Sequence, residues 1–166
     1  MDLGAGVRII DGYNLIGVAG EFGLDLSLPD KEERLLRLLV AWRSRRRGRE
    51  PLLVVFDGHH GRLAAGPRRY SRAGIDVEWA IGESADALIV RRVRAARRVR
   101  EIEVVTSDRA VAREALSHGA RVTRSPDFLA AIAPVLAAGP APEKPEAPSP
   151  DEVEEWLGVF GHKDER

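Results

Sequence analysis

The chain has 166 residues, 44% of them hydrophobic, with 26 basic and 26 acidic side chains and no cysteine. That length supports one domain with a real core, and the missing thiols exclude disulfides, thiolate metal sites and cysteine nucleophiles. No apolar run approaches the roughly 20 residues of a membrane-spanning helix, and the acidic start "MDLGAG" is not a secretory signal, so a cytoplasmic protein with no membrane partner is expected.

Residues 7–10, "VRII", predict a first strand that stops at Asp11. In the turn that follows, Gly12 would let the backbone pass close to a ligand. Tyr13 could stack on a base or pack under the sheet. Asn14 could hold a metal-bound water or a phosphate oxygen, or serve as a cap. Residues 30–46 predict a helix with a capping box from Asp30 to Glu33 and an apolar stripe of Leu35, Leu36, Leu38, Leu39 and Trp42. Residues 52–56 predict a second strand, ending at Asp57. His59 and His60 follow it, available for proton transfer or phosphate contact, or simply part of a solvated loop. Residues 61–72 read as a mobile loop, and 75–81 as a strand.

In "GESAD", residues 82–86, Ser84 is a natural N-cap that places Asp86 in the first helical turn. That helix is expected over 85–100, with Ala85, Leu88, Ile89, Val93, Ala96 and Val99 on one face. A strand over 102–106 runs into Ser107 and Asp108, either of which could cap a helix over 109–118. A strand at 120–123 and a helix at 126–138 complete the domain, placed at 1–138. Residues 139–150 are a Pro-rich linker. Residues 151–166 are an acidic tail with a short helix, expected to dock on the body or on another subunit. Apolar β-branched strands alternating with helices imply an α/β sandwich with a mainly parallel sheet.

Three predicted strands end in carboxylates: Asp11, Asp57 and Asp108. Ligands of parallel α/β sheets bind beyond the carboxyl ends of the strands. If these strands are neighbours, the three acids share one crevice, and Asp86 joins them. Repulsion and desolvation make that arrangement costly without a cation, and oxygen donors without His or Cys favour Mg²⁺ or Mn²⁺. Blander roles exist for each: a helix-dipole contact for Asp86, a cap for Asp108, an ordinary turn for Asp57-Gly58.

The zero net charge hides an asymmetry. Residues 1–138 hold 23 basic and 18 acidic side chains, while 139–166 hold 3 and 8. Of the basic residues in the body, 22 are Arg, whose fork matches phosphate, although a codon bias and a solvated surface would look the same. Arg91, Arg94 and Arg98 are expected on one helix face, with Arg97 beside them. Arg68, Arg69 and Tyr70, in the expected loop, combine phosphate contacts with a stacking ring, a pattern suited to single-stranded RNA.

"IIDGYNLIG", "VVFDG", "ESAD" and "VVTSDRAVAREALSHGARVTRSPDFL", in that order and with those gaps, resemble the YacP-like branch of the NYN domains, relatives of the PIN-domain nucleases. The resemblance covers about residues 7 to 132. It implies a Rossmann-like three-layer α/β/α sandwich and a metal-dependent endoribonuclease acting in RNA processing or decay. It places the family's acidic residues on Asp11, Asp57, Asp86 and Asp108, with Asn14 as polar companion. Asp11, Asp86 and Asp108 would hold Mg²⁺ or Mn²⁺. Glu83 matches an acidic position in the family's "ETAD" stretch, where Ser84 replaces Thr. Tyr13, His59, Glu83 and Ser107 are auxiliary candidates. RNA is the expected partner, with a ribosome or other ribonucleoprotein and a homodimer as further ones. The competing reading is a catalytically silent NYN module that binds RNA or a ribonucleoprotein surface. A phosphohydrolase of another Rossmann-like family is disfavoured, because Tyr13 stands where that family needs a second Asp.

Overall fold

The computed structural model describes residues 6–46, 50–58 and 68–138. His59, His60, the Pro-rich linker and the acidic tail lie outside the described residues. Strands β1 (Arg8–Asp11), β2 (Leu52–Asp57), β3 (Arg69–Arg72), β4 (Ile75–Ala80), β5 (Glu103–Val105) and β6 (Arg121–Thr123) form one sheet in the order β3-β4-β2-β1-β5-β6. Every neighbouring pair is parallel except β3 with β4.

The strand pleat sends alternate side chains to opposite faces, which explains the near-continuous apolar runs. Ile10, Val54 and Phe56 enter one core with Leu15 and Ile16 of α1 (Gly12–Ile16), Leu35, Leu36 and Leu39 of α2 (Lys31–Ser44), and Phe128, Leu129 and Ile132 of α5 (Ser125–Ala137). Ile9, Leu53 and Val55 enter the other, with Leu88, Ile89 and Val93 of α3 (Ala85–Ala95) and Val111 and Ala115 of α4 (Arg109–Ser117). The result is a three-layer α/β/α sandwich with β1 near its centre. Leu35 and Leu39 are wholly buried, and each such side chain contributes roughly 1.5–3 kcal/mol. Among the described residues, no helix is long and apolar enough to cross a membrane.

Three local expectations need correction. Of the loop expected over 61–72, residues 61–67 lie outside the described residues and 69–72 are not a loop: Arg69–Arg72 is edge strand β3, joined to β4 through Ala73 (φ 48°) and Gly74 (φ 75°). Two positive φ values in a two-residue connection match the twist of a hairpin, and four residues of "RYSR" carry no apolar pattern to announce it. The expected Asp30–Glu33 capping box does not form. Asp30 sits at the N-cap but makes no capping hydrogen bond; its carboxylate takes Arg34 at 2.9 Å, and Glu33 pairs with Arg72. Charged partners are stronger than backbone amides here. Helix α3 stops at Ala95, because the chain must turn back through a short 3₁₀ segment (Val99–Glu101) to enter β5, so Arg98 is not on that helix. At Gly12 a Cβ would overlap the Phe56 ring and crowd the Val55 carbonyl, so close packing by itself calls for glycine there.

Candidate active site

Strand order decides which acids meet. With β1 flanked by β2 and β5, the carboxyl ends carrying Asp11, Asp57 and Asp108 line one edge of the sheet. Asp86, in the first turn of α3 beyond β4, faces the same crevice.

Asp11 is the buried member, only 6% exposed. Its pKa is pushed up to about 6, first by burial and then by the charges of Asp86 and Asp108, against hydrogen bonds from Thr106 and the Asn14 amide that pull it down. Burial also raises Asp86, followed by the charges of Asp108 and Asp57. Each carboxylate therefore feels others of the set, as expected for like charges in one partly dry crevice. Asp108 is the N-cap of α4, its Oδ1 accepting from the Ala110 and Val111 amides at 2.8 and 3.0 Å. Ser84 caps α3 in the same way, accepting from the Ala87 amide at 3.1 Å. The positive ends of two helices thus open beside the acids, a favourable setting for an anion.

Two residues that the sequence does not mark as functional organise this edge. Thr106, 1% exposed, donates from Oγ1 to Asp11 Oδ2 at 3.1 Å and accepts the Asp108 amide at 3.1 Å. Its signal was the Thr of "VVTSD", read only as the end of a strand. Ser125, fully buried at the start of α5, donates to Asn14 Oδ1 at 2.6 Å. Asn14 Oδ1 also accepts the Ser107 amide at 2.8 Å, and Ser107 Oγ accepts the Ser125 amide at 3.2 Å. No local pattern marks a contact 111 residues away. Asn14 and Ser107 therefore tie three connections together, with the Asn14 carbonyl oxygen committed to that task.

The other candidates sit further out. The Tyr13 hydroxyl donates to Glu32 at 2.7 Å while its ring packs 5.2 Å from Phe56, so the ring is half-buried. Glu83 holds Arg91 at 2.6 Å and Arg68 at 3.5 Å, and the Arg91 hydrogen bond keeps its carboxyl below the usual range. Arg94 pairs with Glu114, Arg98 with Glu101, and Arg69 with Asp76. Instead of one basic face, Arg91, Arg94 and Arg98 are each exposed and each set against a carboxylate. Tyr70 is half-buried on β3, with its pKa raised by burial.

Among the described residues, no three carboxylate or imidazole side chains stand close enough to grip an ion by themselves. The oxygen-only donor set and the repulsion at Asp11 still fit a hydrated divalent cation that reaches the carboxylates partly through water, the habit of Mg²⁺.

Comparison with known proteins agrees with this architecture. The crystal structure of Rae1 (YacP) from Bacillus subtilis in a single-substitution mutant superposes with a TM-score of 0.62, at 23% identity, covering 83% of this chain and 79% of that one. A second crystal structure of Rae1 (YacP) from Bacillus subtilis gives 0.59, at 21% identity, covering 92% and 82%. No curated protein matches the chain. The family model described as the YacP-like NYN domain matches residues 8–139, which spans every carboxylate of the crevice. The chain belongs to the YacP-like NYN domain family, a PIN-like family of nucleases.

Proposed function

We propose that the protein is an endoribonuclease that hydrolyses RNA phosphodiester bonds with Mg²⁺ or Mn²⁺, acting in cytoplasmic RNA processing or decay. The observation that carries this reading is the electrostatic conflict at Asp11, buried against the charges of Asp86 and Asp108 on the carboxyl edge of a parallel sheet. Asp11, Asp86 and Asp108 would hold the ion, with Asp57 completing the acidic rim. A divalent ion held there would supply Lewis-acid chemistry: polarisation of a phosphate oxygen, a lower pKa for the attacking water and charge to offset that growing on the phosphate. The chain's own groups do the rest. Thr106 holds Asp11 at a fixed angle. The capped N-termini of α3 and α4 favour the phosphate. Arg91, Arg94 and Arg98, with Arg68, Arg69 and Tyr70 toward the sheet edge, bind the strand. The nuclease unit is residues 1–138. A ribosome or other ribonucleoprotein presenting the RNA, and a homodimer, are compatible partners.

The silent-module reading gains support from one observation: the described carboxylates do not by themselves form a tight ligand set. Incubating the protein with single-stranded and structured RNA, in Mg²⁺, Mn²⁺ or EDTA, separates the two. New 5′ or 3′ ends that require the metal and vanish in Asp11→Asn support the nuclease. Binding without cleavage under every condition supports the module.

A further inference from the structure

We infer that the groove between α3 and α4 is the binding track for an unpaired stretch of the RNA next to the scissile phosphate. The inference rests on the nuclease reading of the acidic crevice and names where its substrate lies.

The groove has a volume of about 650 Å³, and its lining includes Asp86, the α3 member of the acidic crevice. It follows α3 from Asp86 to Ala95, a run of ~14 Å at the helical rise of 1.5 Å per residue. Its floor is apolar and made of small residues: Ala87, Val90 and Ala95 from one helix, Ala110 and Val111 from the other. Large side chains would close it. Arg91 and Arg94, one turn apart on α3, line it together with Glu114.

Floor and arginines make complementary demands on an occupant. The floor wants a flat apolar face, and the arginines want an anion. An unpaired nucleotide offers both, whereas a duplex hides its base faces in the stack. Arg91 and Arg94 are already paired, to Glu83 and Glu114, but their side chains are 52% and 56% exposed. Exposed ion pairs of this kind are weak, so a phosphate can replace the carboxylate at little cost, and the fork of Arg suits it. The groove also leads past the N-termini of both α3 and α4, so a strand lying in it meets donor-rich backbone as it approaches Asp86 and Asp108.

The test measures binding apart from cleavage. Anisotropy of a 5′-labelled single-stranded RNA is titrated with the full chain in EDTA, using wild type, Val90→Glu and Arg94→Glu, and repeated with the same RNA annealed to its complement. Thermal unfolding confirms that each variant is folded. Val90→Glu puts a charge on the floor; Arg94→Glu alters only an exposed side chain and remains informative if Val90→Glu fails to fold. The expected result is a loss of about tenfold or more in single-strand affinity for each folded variant, with the weaker duplex binding unchanged by either. Equal single-strand affinity in wild type and folded Arg94→Glu overturns the inference. So does a synthetic acidic peptide of residues 151–166 binding this groove where RNA does not. Groove-dependent binding without any metal-dependent cleavage sinks the nuclease reading and leaves the track standing; cleavage with groove-independent binding does the reverse.

Discussion

Thr106 Oγ1 donates to Asp11 Oδ2 while accepting the backbone amide of Asp108, so one hydroxyl joins two acidic residues 97 positions apart in the chain. The hydroxyl is 1% exposed with its residue, and water cannot take its place. It fixes the spacing of the carboxylates and lowers the cost of the Asp11 charge.

Thr106→Val keeps the shape and removes both bonds. A buried amide left unpaired costs about 1–3 kcal/mol, and the Asp108 amide is partly buried, so the chemical-denaturation midpoint should fall by an amount toward the lower end. Thr106 pulls the Asp11 pKa down, so in the variant Asp11 should titrate higher than in the parent. The pH–rate profile for cleavage should move to higher pH with it. An unaltered profile would show that Thr106 does not act on Asp11.

Asp11→Asn tests the charge itself. The folded pKa of about 6 lies above the ordinary 3.8, so the native state holds this proton more tightly than the unfolded chain. Protonated Asp11 thus favours folding fully below pH 3.8, and that contribution disappears as pH rises through 6. Its full size is on the order of 3 kcal/mol. In EDTA, Asp11→Asn should melt higher than the parent at pH 7 and converge with it near pH 4. Cleavage should drop by about 10²-fold or more. Full cleavage by the variant would remove Asp11 from the mechanism.

The metal should reverse the same penalty. Mg²⁺ or Mn²⁺ at neutral pH should raise the melting temperature of the parent, and EDTA should return it. Asp11→Asn should show little of this gain. A shift of equal size in both proteins would place the ion elsewhere.

Asn14→Ala should loosen three connections at once. It strands the Ser107 amide and the fully buried Ser125 hydroxyl. A loss of about 1–3 kcal/mol is expected, with faster amide exchange at Ser107 and Ser125 than at the centre of β2. Exchange unchanged at those two amides would mean that Asn14 does not hold Ser107, whose hydroxyl in turn accepts the Ser125 amide.

Gly12→Ala tests packing at the first turn. The new methyl group would overlap Phe56 and crowd the Val55 carbonyl. Overpacking of this kind costs about 1–3 kcal/mol. Urea titration should show the loss, and cleavage by the remaining folded protein should fall with the displacement of the Asp11 turn. Parental stability would mean that Phe56 moves aside freely.

Much of the layout was legible in order along the chain. Five strands and four of the longer helices follow from apolar runs and caps, since burial on both faces forces continuous β-branched strands. Ser84 and Asp108 as helix caps follow from local chemistry alone, because a cap bonds within its own turn. The grouping of Asp11, Asp57, Asp86 and Asp108 was legible only as a condition on strand order. That order, with β1 between β2 and β5, satisfies it.

What escaped was long in range or polar at an edge. Strand β3 has no apolar period and exists because β4 offers it an open edge. The arginine face dissolved because α3 ends before Arg98, and because Glu83 just before α3 and Glu114 from α4 pair with Arg91 and Arg94. Thr106 and Ser125 look like ordinary strand-end and helix-start residues until the turns are brought together. Sequence periodicity and capping act within a few residues, so the amino-acid order alone determined the elements and the strand ends that carry acids. The tertiary structure alone decided which of those ends share a crevice and how strongly their charges conflict, because burial and Coulomb repulsion depend on distance in space.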